Sequence, residues 1–171
     1  TYMRSKANTG DFMMFAGPYG SFYLRPAVRP ILMLAGGTGL APFLSMLLWI
    51  KDNPTDQPIT LAYGVNGNED LVELGTLAEL KSVIPNFDYF TVVVDRESGH
   101  PRLGYVTDHL SPGQLNDGDA DVYVCGPPPM VDAATDEQLR DLMGKGLAGT
   151  VFLTTDDCWR EYREMKERGV E

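Results

Sequence analysis

The chain has 171 residues, 43% hydrophobic and 22% charged, a balance that suits a folded globular domain with a sizeable buried core. Its formal net charge of −10 argues against nucleic acid or an anionic membrane as partner, because both repel an acidic surface. Cys125 and Cys158 make no disulfide framework and no metal-ligand pattern, and no apolar run approaches the roughly 20 residues of a membrane span. A reducing, cytoplasmic setting is the expectation, with no metal site. The first residue is not Met and residues 1–11 carry no hydrophobic leader, so a segment of a longer protein is expected.

In chain order, residues 1–8 read as a short helix and residues 11–16 as a short strand. The turn Gly17-Pro18-Tyr19-Gly20 follows, then a strand-like stretch at 21–25 and a proline-bounded linker at 25–30. From there the rhythm changes. Residues 31–35 form an uninterrupted apolar run, a buried strand, and residues 41–51 a helix. Residues 59–65 are a second strand, and 66–70 a polar turn. Residues 71–83 are a helix with apolar positions 71, 74, 77 and 80 on one face. Residues 87–95 are a third strand, rich in aromatic and β-branched side chains. A short helix is expected at 105–110, a fourth strand at 121–125, a rigid proline turn at 126–129, a helix at 130–143 and a last strand at 150–154. Residues 156–168 read as a charged, solvated helix. Strands alternating with helices predict an α/β fold, a parallel sheet covered by helices on both faces.

Two stretches carry chemistry. Gly36-Gly37-Thr38-Gly39-Leu40-Ala41-Pro42 joins a buried strand to a helix. Such a turn offers backbone N–H groups and a positive helix end to an anion, and its glycines let a ligand come close. It is neither GxGxxG nor a Walker loop, and a well-capped strand–helix junction remains the alternative. Thr38 is a candidate helix cap or phosphate ligand, and Pro42 suits a first helical turn. Cys125-Gly126-Pro127-Pro128 follows the fourth strand. In a parallel sheet both stretches reach the carboxyl edge, where ligands bind. Cys125 is open to three roles: a core thiol, a small polarizable group against a flat ring, or a nucleophile. The last lacks support, since neither His100 nor His109 has a triad context and both read as surface groups. Asn66–Asp70 can meet ribose hydroxyls or be a plain polar turn. No Lys or Arg lies between 65 and 80, which favours NADH over NADPH if the ligand is a nicotinamide dinucleotide.

The motifs GPYGSFYLR, LAGGTGLAP and VYVCGPPPM, in this order, resemble the ferredoxin–NADP reductase superfamily. The similarity is closest to reductase components of aromatic-ring dioxygenases of the benzoate, toluate and anthranilate type. YGVNGNEDL and GYVTDHL have the same character, and the resemblance covers about residues 1–143. It implies an NAD-binding α/β domain at 28–155, preceded at 1–27 by the remnant of an antiparallel FAD-binding barrel and followed at 156–171 by a charged tail. It implies NADH as electron donor, FAD as hydride acceptor, and a dioxygenase or ferredoxin domain as partner. The [2Fe–2S] cluster of full-length relatives has no CxxxxCxxC pattern here, and the RxYS flavin motif is absent, so FAD binding by this chain is expected to be weak or lost. The residues implied around the dinucleotide are Gly36, Gly37, Thr38, Gly39, Pro42, Asn66, Asp70, Cys125, Gly126, Pro127 and Met130. Cys125 would position the nicotinamide, with no side-chain acid or base. Thr1 and Tyr2 would belong to the flavin-pyrophosphate motif, and Pro18 and Gly20 to the barrel closure. A non-catalytic nucleotide-binding module or an inactive fragment is the alternative.

Overall fold

The computed structural model describes residues 6, 8–12, 14, 22–111, 113, 119–135 and 151–152. Five parallel strands form one sheet: β1 (Ile31–Gly36), β2 (Ile59–Val65), β3 (Phe87–Val93), β4 (Asp121–Cys125) and β5 (Val151–Phe152), in the order β3-β2-β1-β4-β5. Register is continuous through the centre: Ile31 lies between Ile59 and Asp121, and Ala35 between Tyr63 and Cys125. Among the described residues, three helices connect the strands: α1 (Leu40–Asp52), α2 (Leu74–Val83) and α3 (Pro128–Thr135).

Alternate strand residues point to opposite faces, and both faces are covered. Ile31, Met33, Ala35, Leu61 and Tyr63 pack with Phe43, Leu47 and Ile50 of α1 and Leu77 and Leu80 of α2. Leu32, Leu34, Ala62, Val122 and Val124 pack with Val106, Val131 and Ala134 on the other face. This two-sided burial is why β1 and β4 read as unbroken apolar runs. No helix among the described residues is long and apolar enough to cross a membrane.

Several boundaries differ from the sequence expectation, each for a local reason. The second helix starts at Leu74, not 71. Asn68–Asp70 form a single 3-10 turn, Leu71 is extended, and Glu73 takes a left-handed conformation at φ 59 that blocks continuation backwards. Leu71 still reaches the core from extended backbone, while Leu74 is exposed, so Leu77, Leu80 and Ile84 are the buried contacts. Pro128 and Pro129 belong to α3 and not to a preceding turn. Proline costs nothing in a first helical turn, and the Met130 N–H donates to the Pro127 carbonyl at 2.9 Å. The short helix expected at 105–110 is a 3-10 turn at Val106–His109, and the third strand stops at Val93.

Residues 22–25 are not a strand, and residues 25–30 are not a free linker. Phe22 meets Phe43 and Tyr123 edge-on, with ring centroids 5.7 and 6.1 Å apart. The Arg25 N–H donates to the Tyr123 hydroxyl at 3.0 Å, and the Arg29 guanidinium bonds the buried Asp121 carboxylate at 2.6 Å. The segment is a strap docked on the sheet by side chains. The expected helix at 1–8, strand at 11–16, turn at 17–20, most of the helix end at 136–143, and the tail at 156–171 lie largely or wholly outside the described residues.

Candidate functional site

The strand order reverses between β1 and β4: the chain moves outward to β2 and β3, then crosses back to the other side of β1. At such a point the connections leave a crevice at the carboxyl ends of the strands. The Gly36–Gly39 turn and the Cys125–Met130 segment meet there.

The glycines at this edge divide by function. Gly36, Gly39 and Gly126 let the two loops interlock. A Cβ on Gly39 would overlap the Cys125 carbonyl, lying 2.5 Å from its carbon and 3.0 Å from the Gly126 nitrogen. A Cβ on Gly126 would sit 3.1 Å from both the Cα and the nitrogen of Gly36 and 2.7 Å from Met130 Sδ. One on Gly36 would meet Met130 Sδ at 2.6 Å and the Pro127 ring at 2.8 Å. Gly37 differs. Its φ is +53, and a Cβ there would find nothing within 4 Å. Gly37 and Thr38 are exposed at the mouth of the crevice.

Gly37–Gly39 form a 3-10 turn that runs straight into α1. The first N–H groups of a helix have no intrahelical acceptor. Both N-cap positions, Gly36 and Gly39, are glycines, so no side-chain cap is made at either. Thr38 therefore does not cap the helix, contrary to one of its expected roles. Pro42 lies in the first turn of α1, where a missing N–H is harmless. The terminus keeps its positive end turned to the crevice.

Cys125 ends β4 half-buried beside this turn. Burial pushes its thiol pKa up, so the neutral form prevails at neutral pH. That state opposes a nucleophilic role. The histidines are committed elsewhere and are half-buried rather than freely exposed. His100 joins Thr91 Oγ1 through Nε2 at 3.0 Å and the Arg102 carbonyl through Nδ1 at 2.8 Å, and His109 Nε2 meets the Leu103 carbonyl at 3.0 Å. These bonds fold residues 94–109 against the end of β3.

Asn66 and Asp70 are exposed beyond the end of β2, on the same edge of the sheet. The Asp70 carboxylate accepts the Gly67 N–H at 3.1 Å, and the Asn66 carbonyl accepts the Asp95 N–H at 2.9 Å. The neighbouring Asn68 amide donates to the Ser98 carbonyl at 2.7 Å. The buried Tyr63 hydroxyl, its pKa raised by desolvation, donates to the Asp70 carbonyl at 3.2 Å. The turn is thus fixed from below, and its two acidic residues, Glu69 and Asp70, are exposed with their carboxylates folded back over Gly67. Thr1, Tyr2, Pro18 and Gly20 lie outside the described residues.

The structure therefore brings Gly36, Gly39, Cys125, Gly126, Pro127 and Met130 into contact at one edge of the sheet, with Gly37 and Thr38 in the same turn, Pro42 in the first turn of α1, and Asn66 and Asp70 beyond the end of β2. The sequence did not reveal that the Met130 thioether sits against both Gly36 and Gly126. The signal was present only as Gly36 on one side and Gly126 and Met130 some 90 residues further on, with nothing to pair them.

Residues 33–136 match the family model of the oxidoreductase NAD-binding domain. The chain belongs to this family. It is 54% identical over 134 residues to the 2-halobenzoate 1,2-dioxygenase electron transfer component of Burkholderia cepacia, covering 77% of this chain and 40% of that protein. The toluate 1,2-dioxygenase electron transfer component of Pseudomonas putida is 48% identical over 135 residues, 79% of this chain and 40% of the relative. Among solved structures, the Amycolatopsis cytochrome P450 reductase GcoB matches with a TM-score of 0.67 at 30% identity, over 78% of this chain and 41% of that one. The chain thus spans about two fifths of the length of these relatives. The expected kinship with ferredoxin reductases, and the α/β sheet with helices on both faces, hold for the NAD-binding domain.

Proposed function

We propose that this chain is the NADH-binding portion of an electron transfer component serving an aromatic-ring dioxygenase. The observation that carries the reading is the crevice between β1 and β4, where an open left-handed Gly37 and an uncapped helix terminus face the Cys125-Gly126 loop. In this reading the N–H groups of Gly37, Thr38 and Gly39 hold the pyrophosphate, and the positive end of α1 favours its charge. Cys125 and Gly126 flank the nicotinamide ring. The neutral Cys125 thiol suits a flat ring better than a thiolate would. Asn66 and Asp70 lie toward the adenosine ribose. The acidic turn, with no Lys or Arg between 65 and 80, repels a 2′-phosphate, so NADH is preferred to NADPH.

When bound, NADH supplies a hydride, and the acceptor in such reductases is a flavin. The protein's part is to align the ring and exclude water, so no side-chain acid or base is required. The electron acceptor beyond the flavin would be a [2Fe–2S] ferredoxin domain or the oxygenase itself. The names of the dioxygenase relatives support this assignment.

The test uses the full chain with FAD supplied in solution, without oxygen, and NADH added. Loss of the visible flavin absorbance, faster than with NADPH, is expected. Calorimetry with NADH alone runs beside it. Binding without bleaching assigns a nucleotide-binding module that needs flavin from elsewhere. Absence of both refutes the reading.

A further inference from the structure

We propose that Met130 is a positioning residue that sets the spacing between the two loops of the crevice, and does not itself contact the dinucleotide. The proposal rests on the NADH reading above. Met130 stands in the first turn of α3, partly buried, with its backbone N–H held by the Pro127 carbonyl. Its thioether occupies the slot left by two absent side chains. Sδ lies 2.6 Å from the Cβ position of Gly36 and 2.7 Å from that of Gly126. The same two glycines approach each other directly, since the Cβ position of Gly126 is 3.1 Å from the Gly36 Cα. One flexible side chain therefore touches the end of β1 and the start of the β4 loop together. It packs on the Leu32, Leu34 and Val124 side of the sheet, behind the crevice. An unbranched thioether with three rotatable bonds is well suited to fill such an irregular gap.

Removing this wedge frees Gly36 and Gly126 to shift relative to each other. The pyrophosphate turn begins at Gly36 and the nicotinamide loop contains Gly126, so the shift falls on the nicotinamide half of the ligand. Alignment of reacting groups is sensitive on this scale, where about 1 Å of misplacement costs on the order of a hundredfold in rate. The adenosine half depends on the end of β2, which Met130 does not touch.

The experiment measures NADH and AMP affinities by calorimetry on the full chain, for wild type, Met130→Leu, Met130→Ala, Gly126→Ala and the Met130→Ala/Gly126→Ala double variant. Wild-type binding of NADH tests the functional reading, and its absence refutes that reading and this proposal together. Given wild-type binding, Met130→Ala should weaken NADH about tenfold and leave AMP unchanged, while Met130→Leu, similar in volume, stays within about threefold of wild type. Gly126→Ala should weaken NADH strongly alone and less in the Met130→Ala background, because the tightest of its contacts, with Met130 Sδ, is then gone while the two at 3.1 Å to the Gly36 backbone remain. Met130→Val replaces Met130→Ala should the latter not fold. Three results overturn the proposal: folded truncation variants that bind NADH as wild type does, NADH and AMP affinities that fall together, or a Gly126→Ala effect that is the same in both backgrounds.

Discussion

Replacing Gly37 and Gly39 by alanine should have opposite signatures, although the two residues sit two positions apart in one turn. Gly39 has helical backbone, φ −62 and ψ −7, which alanine adopts freely. A Gly→Ala change at a compatible conformation stabilises by about 0.4–1 kcal/mol through the unfolded chain. The added methyl, however, would overlap the Cys125 carbonyl and lie 3.0 Å from the Gly126 nitrogen, both backbone atoms of a strand end. That overpacking costs about 3 kcal/mol, the upper part of the usual range, because neither partner has a rotamer to change. The net loss for Gly39→Ala is therefore about 2–2.5 kcal/mol. Gly37→Ala meets no atom within 4 Å, so its cost is conformational alone, about 1–2 kcal/mol for a φ of +53. Its methyl projects into the space assigned to the pyrophosphate. Losing one hydrogen bond to a charged group costs about 1.5–3 kcal/mol, which weakens NADH roughly 10- to 100-fold. Urea unfolding gives the stabilities, and calorimetry at a temperature where both variants are folded gives the affinities. The reasoning is refuted if Gly37→Ala is the more destabilising of the two, or if it binds NADH as tightly as wild type.

Arg29→Met withdraws the guanidinium bonded to Asp121, whose residue is only 5% exposed, and should cost about 3 kcal/mol in urea unfolding, with much of it recovered when Asp121→Asn is added. In a Cys158→Ser background, the alkylation of Cys125 by iodoacetamide should rise only above the ordinary thiol pKa of 9.0, because burial favours the neutral form. By linkage that raised pKa contributes stability fully present below the unfolded thiol's pKa and lost as pH rises through the folded one, and Cys125→Ala should remove this part of the alkaline decline. The Lys81 ammonium holds the Asp88 carboxyl below the usual aspartate value, so Asp88 adds stability above the unfolded pKa that disappears as pH falls through the lower folded one. Both side chains are exposed, so Asp88→Asn should change stability at neutral pH by less than about 1 kcal/mol, and acid unfolding of the variant measures it.

The sheet was legible because its physics is local. Ile31–Gly36 and Asp121–Cys125 are buried on both faces, and burial on both faces shows as an unbroken apolar run. Helix α1 was legible from its apolar run, and its end at Asn53 is marked by the amide that folds back on the Trp49 carbonyl at 2.9 Å. The helix at 71–83 was misplaced at its start because apolar spacing counts Leu71 and Leu74 alike, although one reaches the core from extended backbone and the other is exposed. The strap at 22–30 read as a strand-like stretch and then a linker because its anchors, Tyr123 and Asp121, lie nearly a hundred residues away. The site divides the same way. Its turn was recognisable from Gly36-Gly37-Thr38-Gly39, but only Gly37 has the open space the ligand argument assumed. Gly36, Gly39 and Gly126 serve contact between loops, and a single sequence does not display such pairings.

The central claim is that the turn after β1 and the loop after β4 together hold NADH, and amide chemical shifts of the isotope-labelled chain during an NADH titration test it most directly. The account predicts saturable, one-to-one shifts that are largest at Gly37, Thr38, Gly39 and Gly126. Smaller changes should appear at Asn66–Asp70, and almost none at the strap residues Arg25 and Arg29. Saturable binding that leaves the Gly37–Gly39 and Gly126 amides unmoved would contradict it.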